Sequence, residues 1–172
     1  MAKAAQQRQP AVRKLAPARN APPSSAQQVS ILEPGKIYRA GALERINMIK
    51  AGVQAQATKT LINHLILDQK RVVGALNLKT ATLNRKAAQG GILPVDESER
   101  VLGLSSLIGQ VQDMVEKSGN PAGFSAAEWL SRWLQEPLPA LNGVKPIDLL
   151  DTMEGQALVS RNLAQIQSGA YA

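Results

Sequence analysis

The side chains best suited to chemistry in this sequence are the polar and basic ones between positions 79 and 86. A helix is predicted over 80–89, with Leu83 as its apolar anchor. Arginine can donate two hydrogen bonds to guanine and asparagine can pair with the edge of adenine, so Arg85 and Asn84 are candidate base-reading residues. The other candidates for phosphate and base contacts are Lys79, Thr80, Thr82 and Lys86. This pattern predicts a helix that enters the major groove of DNA. A solvated basic helix that has lost DNA binding is the alternative.

The segment before this helix has the spacing of a helix-turn-helix motif. A helix is predicted over 69–76, with Asp68 as its N-cap, and Asn77 stands in the turn that follows. Such turns usually contain Gly, and Asn tolerates the left-handed backbone conformation better than most residues. The positions expected to be buried are Val72, Leu76, Leu78 and Leu83. Val73 departs from the pattern, because a small residue is usual where the two helices approach each other.

The first helix of the motif carries Lys70 and Arg71, which are expected to lie near the DNA backbone. A single motif of this kind reads only a few base pairs. Useful affinity therefore needs a homodimer on two half-sites, or further phosphate contacts from a basic tail. The predicted partners of this region are operator DNA and a second copy of the chain.

Residues that could support catalysis are few. The chain has no Cys, and its one histidine, His64, has no carboxylate nearby in sequence that would suggest a relay. Gly90-Gly91 lacks the Lys-Thr/Ser that completes a phosphate-binding loop. The acids at 96–99 fit the start of a helix better than a set of metal ligands. The sequence therefore predicts a protein that is not an enzyme and that needs no cofactor or metal.

The charge of the chain is unevenly distributed along its 172 residues. Positions 1–28 contain five Lys/Arg and no acid, and positions 29–91 contain ten Lys/Arg against three acids. Positions 92–172 reverse the balance, with five Lys/Arg against ten acids. A basic front and an acidic back favour two different partners, with nucleic acid suited to the front. A basic tail that only keeps the protein soluble is the alternative.

Helical periodicity dominates the rest of the chain, and no strand is strongly indicated, so the predicted fold class is all-α. Positions 1–28 have no periodic apolar face and are predicted to be a disordered basic tail. Positions 29–91 are predicted to form a helical region containing the helix-turn-helix, and 92–172 a helical linker with a second domain. No apolar run reaches membrane-spanning length, and a cytoplasmic location without membrane contact is expected.

Four longer helices are predicted outside the motif. One covers 38–50, with Leu43, Ile46, Met48 and Ile49 at roughly helical spacing. The others cover 54–67, 96–117 and 154–167.

The segment between the last two of these contains both tryptophans. Ser125 and Glu128 form a capping box before Trp129, and Trp129 and Trp133 are expected to be core residues of a short helix. Pro146 is predicted to begin a further short helix through Leu150.

The last third of the chain resembles the toxin-binding domain of Xre/MbcA/ParS-type antitoxins. The matching residues are Trp129-Leu130, Pro137, Leu141, Gly143, Pro146, Asp148, Leu149, Leu150, Gly155, Val159, Leu163, Ile166, Gly169, Tyr171 and Ala172. The segment Glu97-Ser98-Glu99-Arg100 matches one that is common after the helix-turn-helix in this family. Lys145 departs from it, since the family often has Thr as the cap before the proline.

The resemblance implies an antitoxin that neutralises a cognate RES-domain toxin, which consumes NAD⁺ by hydrolysis or ADP-ribosyl transfer. It implies steric occlusion of the toxin active site, repression of the antitoxin's own operon, a homodimer and a higher-order toxin–antitoxin complex. By analogy, the toxin-binding residues are Arg161, Asn162, Gln165, Ile166, Ser168, Gly169, Ala170, Tyr171 and Ala172. A stand-alone helix-turn-helix regulator without a toxin is the alternative.

Overall fold

The structure is a computed structural model, and it describes residues 30–119 and 121–167. Its eight α-helices are α1 (Pro34–Arg39), α2 (Ala42–Ala51), α3 (Ala55–Asn63), α4 (Gln69–Ala75), α5 (Thr80–Ala88), α6 (Val95–Ser118), α7 (Ala126–Trp133) and α8 (Met153–Gln167). Two 3-10 helices, Pro139–Leu141 and Pro146–Leu149, lie between α7 and α8. No strand occurs within these two ranges, where an isolated bridge joins Gln54 to Ile92. The all-α prediction is confirmed.

The longest helix, α6, is the axis of the fold, and α1, α2, α7 and α8 all pack against it. Nearly every residue of α6 from Val101 to Val111 is buried, so several of its faces are covered at once. Gly109 allows α1 to lie close, since a Cβ there would stand 2.0 Å from the Pro34 carbonyl oxygen. One continuous apolar core extends from Ile31 to Leu163. The helix-turn-helix region and the C-terminal helices therefore share a single core.

The motif predicted over 69–89 forms as α4 and α5. Its four expected core residues, Val72, Leu76, Leu78 and Leu83, are all buried. Asn77 adopts the left-handed conformation with φ of 50°, and the Asp68 side chain accepts a hydrogen bond from the Arg71 amide at 3.0 Å. Val73 is buried as well, and its carbonyl accepts from the Leu78 amide at 2.9 Å.

The C-terminal helices are anchored by polar contacts as well as by apolar ones. The Ser125 hydroxyl caps α7 by accepting from the Glu128 amide, and the rings of Trp129 and Trp133 stack with centroids 6.1 Å apart. Trp133 is buried and Trp129 is half-buried against the core. In α8 the buried Gln156 amide nitrogen donates to the carbonyls of Arg100 and Leu150 at 3.0 and 2.8 Å.

Three of the predicted helices differ from the structure. The helix predicted over 54–67 is shorter, since α3 ends at Asn63. The chain over 38–50 is not one helix, because the backbone is extended at Ala40 and Gly41, between α1 and α2. α2 buries none of its residues fully: Met48 and Ile49 pack against the core, but Leu43 is 77% exposed, so only part of the apolar spacing there marks a core face. Pro146 begins a 3-10 helix rather than an α-helix, and Lys145 gives it no side-chain cap.

Candidate functional site

The helix α5 presents most of its predicted DNA-contacting residues to solvent. Leu83 is its one fully buried residue, and that single anchor leaves the opposite face open. Thr80, Asn84 and Arg85 are exposed, as is Lys79 at the N-cap position. Thr82 and Lys86 are half-buried. A short, exposed helix carrying Arg, Asn and Thr can place these groups against base edges and phosphates.

Arg100 of α6 holds the turn that positions α5. Its guanidinium donates to the carbonyls of Leu76 and Asn77 at 2.7 and 3.4 Å, and it pairs with Asp96 at 3.1 Å. These bonds satisfy carbonyls at the end of α4, where the helix leaves them without partners. The sequence analysis named Arg100 only as part of a family-like segment. The structure identifies it as a residue that orients the helix-turn-helix.

Ser98, in the same segment, is buried and fixes the loop before α6. Its hydroxyl accepts from the Val53 amide at 2.9 Å and donates to the Leu93 carbonyl at 3.2 Å. The two bonds join the entrance of α3 to the exit of α5. The structure therefore shows what the serine and the arginine of the segment 97–100 do. Both side chains bind backbone groups of the helix-turn-helix region.

Two of the predicted DNA-contacting cations already have partners within the chain. Lys86 donates to the Ile92 carbonyl at 2.8 Å, and Arg71 pairs with Asp148 of the second 3-10 helix at 2.7 Å. Lys86 is therefore placed to close the loop after α5, a role that the sequence did not indicate. Lys70 is exposed beside Arg71.

The predicted toxin-binding residues are divided by the structure. Arg161 and Gln165 are exposed on α8, and Arg161 lies 3.4 Å from Glu154. Asn162 is only 4% exposed and donates to the Leu158 carbonyl at 2.9 Å, so its prediction as a surface contact is wrong. Ile166 is half-buried and packs against the core. Ser168, Gly169, Ala170, Tyr171 and Ala172 lie outside the described residues.

An acidic group on α6 helps to hold α1 in place. The Asp113 carboxylate is 2.7 Å from Lys117 and 3.5 Å from Arg39. The hydrogen bond from Lys117, supported by the charges of Lys117 and Arg39, lowers the pKa of Asp113 despite the opposing effect of burial. The same contact raises the pKa of Lys117. This cluster belongs to the frame of the fold and lies away from the predicted contact residues in sequence.

No group of His, Asp and Glu side chains capable of holding a metal ion occurs in the described part of the chain. His64 is exposed. Across 30–119 and 121–167, no helix is long and apolar enough to cross a membrane.

Comparison with known proteins relates both regions to one family. Residues 44–106 match the model of the antitoxin Xre-like helix-turn-helix domain. Residues 122–169 match the model of the antitoxin Xre/MbcA/ParS C-terminal toxin-binding domain. A relative from Sphingobium sp. (strain YBL2), described as "Prs ADP-ribosylating antitoxin", is 62% identical over 136 residues, which cover 79% of this chain and 86% of the relative.

These matches assign a domain to each of the two surfaces described above. The α4–α5 pair lies in the helix-turn-helix domain, and α7, both 3-10 helices and α8 lie in the toxin-binding domain. Both models describe antitoxin domains rather than enzymes. With this identity and coverage, the chain belongs to the Xre/MbcA/ParS antitoxin family.

Proposed function

We propose that this antitoxin neutralises a RES-domain toxin by covering its NAD⁺ site and represses its own operon through α5. The observation that carries the proposal is the pairing, on one core, of an exposed basic helix with a toxin-binding domain. The description of the Sphingobium relative names ADP-ribosylation. It supports a toxin that transfers ADP-ribose from NAD⁺ to a protein.

The toxin contact is proposed for the exposed side of α8 and the residues after it. Arg161 and Gln165 are accessible there, whereas Asn162 supports the helix from within. The residues Ser168 to Ala172 complete the proposed contact, on the strength of the family resemblance. The acidic balance of 92–172 suits a basic pocket that binds a pyrophosphate.

DNA binding is proposed to involve a homodimer, and α2 offers a surface for the second copy. Leu43 and Ile46 are 77% and 43% exposed and lie three positions apart on one helix face. An antiparallel pairing of two α2 helices would bring Leu43 over Ile46 of the second copy. Such a pair would present two α5 helices to successive half-sites.

Substituting either of two exposed arginines, one in α5 and one in α8, should separate operator binding from toxin binding. Arg85→Ala is expected to weaken operator binding by about 1–3 kcal/mol, because a bidentate contact to a base edge is lost. The same variant should neutralise the toxin as well as the wild type. Arg161→Ala is the matched variant, since it removes an exposed arginine from α8, and it should weaken toxin binding alone.

The experiment measures operator binding by fluorescence anisotropy and toxin binding by co-purification with the product of the neighbouring reading frame. Loss of both activities in Arg85→Ala would show that Arg85 is a structural residue. Operator binding with no toxin contact in the wild type would instead indicate a stand-alone regulator.

The C-terminal segment is tested by truncation after Gly169. We expect the shortened chain to keep its helical circular dichroism and its operator affinity, and to lose most of its inhibition of the toxin. A truncated chain that is unfolded would show that these residues belong to the core, and the proposed contact at the C-terminus would then be wrong.

A further inference from the structure

Two acids of the toxin-binding domain lie beside the cations of the DNA-binding motif. Asp148 and Asp151 line one open cleft together with Lys70 and Arg71 of α4. The Arg71 guanidinium is 2.7 Å from the Asp148 carboxylate, and each side chain is about half exposed, at 53% and 50%. The contact joins positions that are 77 residues apart. It is a direct link between the two domains.

Both walls of this cleft are firmly positioned. On one side, the Asp68 cap accepts from the Arg71 amide. On the other, Ile147 is buried and its amide donates to the Leu134 carbonyl at 3.0 Å. The Asp148 amide donates to the Lys145 carbonyl at 3.0 Å. The backbone that carries Asp148 is therefore fixed beside α4, within reach of Arg71.

The ion pair itself contributes little to folding. Exposed pairs of this kind stabilise a protein only slightly, because water screens both charges. Arg71 lies in the first helix of a helix-turn-helix motif, the helix that crosses the DNA backbone. A phosphate oxygen and a carboxylate oxygen are equivalent acceptors for a guanidinium. Arg71 therefore cannot give its full charge to a phosphate while Asp148 holds it.

We propose that Asp148, assisted by Asp151, competes with DNA phosphate for Arg71 and so lowers the operator affinity of this antitoxin. The determinant of affinity then lies in the toxin-binding domain, outside the helix-turn-helix. The two acids lower the affinity in two ways. Their carboxylates occupy Arg71, and they also stand within a Debye length, about 8–10 Å, of any phosphate bound there. This inference rests on the proposed DNA binding.

The test compares the full chain with Asp148→Asn on two fluorescein-labelled duplexes of equal length, one from its own promoter and one of unrelated sequence. We expect Asp148→Asn to bind both about three- to tenfold more tightly at 0.1 M salt, because phosphate contacts are independent of sequence. The salt dependence should also steepen by about one unit of slope, which corresponds to one additional phosphate contact.

Two controls isolate the ion pair. Glu154→Gln removes the same charge from the same domain, but Glu154 pairs with Arg161 rather than with α4, so it should leave the affinity within about twofold. In an Arg71→Ala background, Asp148→Asn should gain much less, since the released guanidinium is absent. An equal gain from Glu154→Gln would overturn the proposal in favour of a general charge effect.

The remaining outcomes are also decisive. If the wild type binds DNA and Asp148→Asn binds no more tightly, the inference is wrong and the proposed DNA binding stands. If neither protein binds either duplex, the proposed DNA binding fails and the inference fails with it. An Asp148→Asn variant that does not fold would overturn the inference, because Asp148 would then be a structural residue.

Discussion

The helices α5 and α8 carry the two proposed contact surfaces, and they expose their polar residues differently. α5 buries only Leu83, so its remaining polar and basic side chains are partly or fully in solvent. α8 buries Gln156 and Asn162 together with Val159 and Leu163. Both amide nitrogens donate hydrogen bonds to backbone carbonyls, whereas the Gln156 side-chain oxygen is buried without a hydrogen-bond partner among the described residues. A polar side chain is therefore at least partly exposed in α5, whereas in α8 it can be buried.

The difference follows from how each helix is held. α5 is short and lies at the edge of the core, with Arg100 fixing the turn before it. α8 packs along α6, and Gln110 of α6 exchanges two hydrogen bonds with Ser160 at 2.9 and 2.8 Å. Changes in α8 should accordingly affect folding first, whereas changes in α5 should affect binding first.

The largest difference in stability is expected between variants of two helical glycines. A Cβ at Gly155 would lie 2.0 Å from the Leu149 carbonyl oxygen, so Gly155→Ala should destabilise the protein by about 3 kcal/mol. At Gly74 of α4, nothing beyond its chain neighbours and the backbone of its own helix comes within 4 Å of the corresponding position, and Gly74→Ala should stabilise the protein by up to about 1 kcal/mol. Urea unfolding monitored by circular dichroism measures both. Similar stabilities for the two variants would contradict the close packing of α8.

Two asparagines provide the next contrast. Asn162→Ala removes a buried amide and should destabilise the fold by about 1–2 kcal/mol. Asn84→Ala changes an exposed side chain of α5, so its stability should change by less than about 0.5 kcal/mol while operator binding weakens. Thermal melting and anisotropy on the two purified variants give both quantities. If the Asn162→Ala protein is as stable as the wild type, Asn162 does not support the fold from within, and it becomes a candidate surface contact again.

Two substitutions at helix caps should change the stability of the protein by smaller amounts and in opposite directions. Ser125 caps α7, and Ser125→Ala should destabilise the protein by about 1 kcal/mol. Lys79 stands at the N-cap of α5 without a side-chain cap bond. Lys79→Ser should therefore stabilise the fold by about 0.5 kcal/mol and weaken DNA binding through the lost charge. If Lys79→Ser leaves the salt dependence of DNA binding unchanged, Lys79 makes no phosphate contact.

The smallest effect is expected from the Asp113 cluster, which belongs to the frame shared by both regions. The pKa of Asp113 is lowered from its ordinary value of 3.8, so its stabilising effect is complete above that pH. It is lost as the pH falls through the lowered pKa. Asp113→Asn should flatten the decline of the melting temperature between about pH 5 and pH 2. An unchanged pH profile in this variant would show that the cluster contributes nothing.

The sequence predicted the helix-turn-helix in detail because local rules determine it. Asp68 at the cap, Asn77 at the left-handed turn and the spacing of Val72, Leu76 and Leu83 all act over a few residues. These rules require no knowledge of the rest of the chain.

The failures concern contacts between distant parts of the chain. Leu43 and Ile46 follow helical spacing, but no described element covers them. Arg71 and Asp148, and Arg100 with the carbonyl of Leu76, become neighbours only when α6 brings the two regions together. Burial of Asn162 depends in the same way on where α8 lies.

The central claim is that this antitoxin occludes the NAD⁺ site of its toxin. The most direct test is to titrate the toxin from the neighbouring reading frame with the full chain and measure NAD⁺ consumption at several NAD⁺ concentrations. If the antitoxin occludes the NAD⁺ site, the antitoxin and NAD⁺ compete for one site. Inhibition should then weaken in proportion as the NAD⁺ concentration rises above its KM. Inhibition that is independent of NAD⁺ concentration would contradict the claim and place the antitoxin away from the active site.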